Sequence, residues 1–243
     1  MDRERYIEAI GTHGRRLADG AEAAGLTATV PSCPGWSVAD LVGHADTVCQ
    51  FWNGIASGAV ADSDDFVPRP EVAPSELIAT FRAEVEALVA TLAPLDPARP
   101  CWTWWDQRDV GFVQRRVAHE LAVHGWDATT SAGEAVPIEA DLAVDGVDEV
   151  LDVFVPARAG RSDGPPLSGH LHATDADGEW VVRTGDGAWL VERAHAKGDV
   201  AIRGTASDLV LLLWGRRSVD DGRFEVFGEA DVVARFLARL SLG

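Results

Sequence analysis

The spacing of apolar residues changes period near residue 157, and that change limits what the chain can build. Upstream, apolar residues recur every three or four positions, the repeat of a helix with one buried face. Downstream, short alternating runs are separated by Gly-containing turns, the pattern of strands. A helical layer followed by a sheet layer predicts an α+β two-domain protein.

In the first part, residues from about 2 to 25 set Tyr6, Ile10, Leu17 and Ala21 in one stripe, closed by Gly25. Ser37 is a good N-cap, with Asp40 at the third helical position, for a helix through Leu41, His44, Val48 and Phe51. Ser75 to Leu92 and about Val110 to Thr130 supply two more, so the expected arrangement is a four-helix bundle. A further helix spans about Glu139 to Phe154. The Gly-, Pro- and charge-rich stretch Ala157 to Pro166 is the expected boundary, giving a helical domain over 1–156 and a small antiparallel-sheet α+β domain over 167–243. Strands are expected at Leu167–Thr174, Glu179–Thr184, Ala188–Glu192 and Val200–Arg203, as an antiparallel meander. Helices at Ala206–Trp214 and Asp231–Leu240 flank a last strand at Phe224–Phe227.

Charge and cysteine content narrow the chemistry. The net charge of −18, from 39 acidic and 21 basic residues, comes without a Lys/Arg stripe to neutralise a phosphate backbone, so nucleic acid is not an expected partner. The opening segment is charged where a secretion signal would be apolar, and the longest apolar run, Leu209 to Trp214, is too short to cross a membrane. A cytoplasmic protein without a membrane partner is expected. Cys33, Cys49 and Cys101 form no CxxC pair, so a metal would have to be held by His and carboxylates.

The segment His119-Glu-Leu-Ala-Val-His124 provides such groups. Its histidines are five apart, a rotation of about 140° on a helix, so they do not share a face and the metalloprotease HExxH reading fails. Glu120 and His124, four apart, do share one, and Asp127 lies on the same stripe. A third ligand must come from another helix; His44, in mid-helix among apolar neighbours, is the leading candidate, with Asp40 placed to orient it. Two His and one carboxylate leave coordination positions open, as catalytic zinc sites do, and N/O ligation favours zinc among divalent metals. By spacing alone, Glu and His so placed are more often a solvated face, and a lone histidine such as His44 is more often a core imidazole bonded to a carbonyl.

Two stretches, Val30-Pro-Ser-Cys-Pro-Gly-Trp-Ser-Val-Ala-Asp-Leu-Val-Gly-His44 and Arg115-Arg-Val-Ala-His-Glu-Leu-Ala-Val-His-Gly-Trp-Asp127, resemble the signatures of the mycothiol-dependent maleylpyruvate isomerase family, within the DinB-like superfamily of metal-binding bundles. Ile202-Arg-Gly-Thr-Ala-Ser-Asp-Leu-Val-Leu-Leu-Leu-Trp-Gly-Arg216 resembles the late segment of the sterol-carrier-like domain that members carry at the C-terminus. The resemblance implies a zinc-type site on His44, Glu120 and His124, with mycothiol as the low-molecular-weight thiol whose sulfur attacks a small-molecule electrophile. An isomerase of maleylpyruvate type or a thiol S-transferase is expected. Asp127 would bind the thiol cofactor or hydrogen-bond a ligand, and Arg216, or Arg203 before it, would bind a substrate carboxylate. His119 is read as structural or exposed, Cys33 as a small buried residue, and Trp36, Trp52, Trp104, Trp105 and Trp126 as pocket candidates. The alternative is a non-catalytic ligand- or partner-binding protein with a structural metal.

Overall fold

The computed structural model describes residues 1–157, 164–240 and 242, and divides into two compact units, Met1–Val136 and Pro137–Gly243. Most of the stretch read as a domain boundary, 158–163, lies outside the described residues.

The first unit holds α1 (Arg3–Ala24), α2 (Val38–Ser57), α3 (Leu77–Leu92) and α4 (Val110–Ser131). Each end has a local cause. Asp2 accepts from Arg5 N to start α1, and Gly25, at φ 82°, stops it. Ser37 and Asp40 form a reciprocal capping box on α2, and Asp109 accepts from Phe112 N on α4. Helix α4 is buried on nearly every side, with Val113, Val117, Leu121 and Ala128 fully enclosed. It packs chiefly on α1, while α2 lies against α3 and α4. Close approach of α1 to α4 depends on Gly20, where a Cβ would meet the Ala128 and Thr129 backbone at 2.9 Å.

In the second unit α5 (Ala140–Glu149) continues through a π-helical turn, Val150–Phe154, into Val155–Ala157. Strands β1 (Leu167–Ala173), β2 (Glu179–Gly185), β3 (Ala188–Glu192), β4 (Val200–Gly204) and β5 (Glu225–Phe227) follow, with α6 (Ala206–Leu213) and α7 (Ala230–Leu240). Strand order is β3-β2-β1-β4-β5. The first three strands make the expected antiparallel meander, whereas β4 pairs in parallel with β1, so the sheet is mixed. Tight turns join β1 to β2 and β2 to β3; the longer segment 193–199 lets the chain pass back across β2 and β1 before β4 begins. Gly169 on β1 leaves room for Phe236 of α7, whose ring atoms would lie 2.0 Å from a Cβ there. No helix among the described residues is long and apolar enough to cross a membrane.

Candidate metal centre

Helix α2 carries His44 and helix α4 carries Arg116, Glu120, His124 and Asp127 along one stripe, at the four- and three-residue spacings that keep side chains on a common face. The packing of α2 on α4 brings the two sets together. His44 Nε2 is 3.0 Å and His124 Nε2 3.2 Å from the same oxygen, Glu120 Oε1. Ligand atoms of the three residues lie within 4.8 Å of one another.

The far side of two of these groups is held. Arg116 Nη2 donates to Glu120 Oε2 at 2.8 Å, leaving Oε1 for the imidazoles. The His124 Nδ1 faces Asp127 Oδ2 at 2.9 Å, so its Nε2 is turned toward Glu120. Asp127 is fully buried and also accepts from the Ser32 hydroxyl at 2.5 Å and the Cys33 thiol at 3.7 Å. Asp40 instead serves its cap, accepting from Ser37 N and Oγ. Trp36 closes one side, its ring stacked on His124 at 6.4 Å and tilted toward His44 at 5.2 Å. Side-chain exposure of 37% at His44, against 16% at Glu120 and 9% at His124, shows that the cluster opens to solvent on the α2 side.

The electrostatics follow from this arrangement. Burial raises the Glu120 pKa, but hydrogen bonds from His124 and His44 and the charges of His124 and Arg116 outweigh it and hold the carboxyl well below its ordinary range. Burial lowers the His124 pKa, yet the hydrogen bonds to Asp127 and Glu120 reverse that and raise it to about 9. Without a metal, a proton on His124 therefore lies between two carboxylates. A divalent cation fits the same donor set: two imidazole nitrogens and a carboxylate oxygen that already converge, two of them oriented from behind.

Other residues singled out in the sequence have partners of their own. His119 is buried, edge-on to Tyr6 at 6.4 Å. Trp52 sits with Phe51, Trp102 and Phe112, Trp104 against Phe112, and Trp126 in the core. Arg216 belongs to the second unit, where it donates to the Trp214 carbonyl at 2.8 Å, and Arg203 donates to Glu225 at 2.7 Å. The sequence reading missed Ser32 and Arg116. Arg116, four residues before Glu120, carried a spacing signal; Ser32, in a loop, carried none.

The profile of the mycothiol maleylpyruvate isomerase N-terminal domain matches residues 7–129, and that of the corresponding C-terminal domain matches 141–235. A crystal structure of the mycothiol-dependent maleylpyruvate isomerase superposes with a TM-score of 0.63 at 12% identity, covering 95% of both chains. A histidine-to-alanine mutant of that enzyme gives 0.61, also at 12% identity and 95% of both chains. At such identity the superposition speaks for the fold. No curated protein sequence matches. With the two domain profiles matching in order along most of its length, the chain belongs to the mycothiol-dependent maleylpyruvate isomerase family.

Proposed function

We propose that this protein is a metal-dependent enzyme that uses mycothiol to attack a small electrophile, as a maleylpyruvate-type isomerase or a thiol S-transferase. The observation that carries the reading is the convergence of His44 Nε2 and His124 Nε2 on Glu120 Oε1, at 3.0 and 3.2 Å. Family membership supports the thiol and the class of reaction.

His44, Glu120 and His124 would hold the cation, with zinc favoured by N/O donors. When bound, it would lower the pKa of a thiol, about 8.5 when free, so that the sulfur is presented as a thiolate. The remaining tasks belong to the chain. Asp127 keeps the His124 Nδ1 proton in place and so fixes which nitrogen faces the site. Arg116 fixes the rotation of the Glu120 carboxylate. Trp36 covers one side of the imidazoles and limits water there, leaving approach from the exposed edge of His44. Three cysteines that form no disulfide suit the reducing cytoplasm, where we place the protein.

The test is metal content and thiol-dependent turnover of wild type beside Glu120→Ala. About one equivalent of metal at this site, lost in the variant together with turnover while helicity persists, is the expected result. Metal loss that melts the bundle would favour a structural metal in a binding protein, and turnover unchanged in Glu120→Ala would remove the site from the reaction.

A further inference from the structure

Three of the seven histidines lie in the second unit, around a single carboxylate. His170 and His172 are two apart on β1 and therefore face the same side of the sheet. Glu179 is the cross-strand partner of His172 on β2 and shares that side. The segment that returns from β3 to β4 brings His195 over them. His172 Nδ1 is in short contact with Glu179 Oε1; His195 Nδ1 lies 3.0 Å from both carboxylate oxygens, and His170 Nε2 lies 3.9 Å from Oε2. The rings of His170 and His195 stand edge to face at 5.2 Å.

Ion pairing leaves this cluster incomplete. A single carboxylate is shared among three imidazoles. His170 is 7% exposed, and its Nε2 is buried without a hydrogen-bond partner while facing the carboxylate and the other rings. A buried ring nitrogen left in that state is what a missing ligand would explain. Arg203, opposite His172 on β4, would repel a cation, but its guanidinium is paired with Glu225 at 2.7 Å. An open recess of about 450 Å³ beside His170 and His195, bordered by Asp199, gives access from solvent.

We propose that His170, His172, Glu179 and His195 form a second divalent transition-metal site, of zinc type. Three imidazole nitrogens and one carboxylate oxygen are a tetrahedral donor set with no position left for substrate, the arrangement of a structural metal. Ligand atoms bound at 2.0–2.1 Å in a tetrahedron stand about 3.3 Å apart. The four lie within 4.8 Å of one another, and His195, at 80% side-chain exposure, is free to rotate inward. The metal would pin the β3–β4 connection onto β1 and β2.

The experiment is calorimetric titration of the full chain with Zn²⁺, and with Co²⁺ read by its visible d–d bands, in the Glu120→Ala background. One equivalent bound, with Kd on the order of micromolar or tighter, and a higher melting temperature with metal are expected. Adding His195→Ala, an exposed position that cannot unfold the sheet, should weaken binding at least about tenfold, and adding His172→Ala should abolish it. No binding in Glu120→Ala, or binding indifferent to His195→Ala, would overturn the second site. Wild-type binding that responds to His195→Ala but not to Glu120→Ala would leave this proposal standing and remove the helical site instead.

Discussion

The two units each gather imidazoles around one glutamate, on opposite kinds of scaffold. In the bundle the groups are neighbours on α4, met by one residue from α2, and the backs of Glu120 and His124 are held by Arg116 and Asp127. In the sheet, alternation along β1 and register with β2 place three groups, and a loop residue completes the set. The helical cluster is orientated before any ligand arrives and keeps an open side. The sheet cluster takes its last group, the largely exposed His195, from the β3–β4 connection. On the two proposals above, that difference would separate a site suited to turnover from one suited to bracing.

The largest expected effect bears on the orientating groups. Asp127→Asn removes the anion behind His124 and should weaken metal binding at the helical site about 10- to 100-fold, with the sheet site unchanged. Equal weakening at both sites in a Zn²⁺ titration would mean that Asp127 acts through folding alone. Next, Gly20→Ala forces a Cβ into the α4 backbone and should cost about 2 kcal/mol in urea unfolding of the first unit. An unchanged midpoint would show that α1 and α4 can separate without disturbing the bundle.

The smallest effect is a contrast in pH response, read in metal-free protein. Because the folded pKa of His124 is raised to about 9, its contribution to stability is full below the ordinary value of 6.5 and is lost as pH rises through 9. Burial instead lowers the pKa of His170, so its contribution is present above 6.5 and is lost as pH falls below that value. Imidazole NMR at pH 7.5 should find His124 charged and His170 neutral. Identical titration of the two rings would erase the distinction drawn between the clusters.

How much of this was legible before the structure depended on the range of the signal. The helix ends at Ser37 and Gly25, and the pairing of Glu120 with His124, follow from rules that act within one or two turns. His44 needed tertiary packing, and there the family resemblance supplied what spacing could only suggest. Asp40 was misassigned to His44 because a carboxylate four residues away on a helix is a natural partner, but the backbone cap is closer. Strand β4 was placed in the meander although it pairs in parallel, since strand order is set by a crossover that local pattern does not encode. For the same reason His170, His172, Glu179 and His195 drew no notice. They meet only through cross-strand register and the path of the segment after β3.

That segment also contains Lys197, the chain's single lysine, exposed at the recess two residues beyond His195. An amine-reactive dye applied at alkaline pH would, apart from the α-amino group, find one side chain to label, without any engineered cysteine. A fluorophore there would be quenched by a paramagnetic ion settling among the neighbouring imidazoles. The native chain thus carries its own attachment point for an optical reporter of the loop.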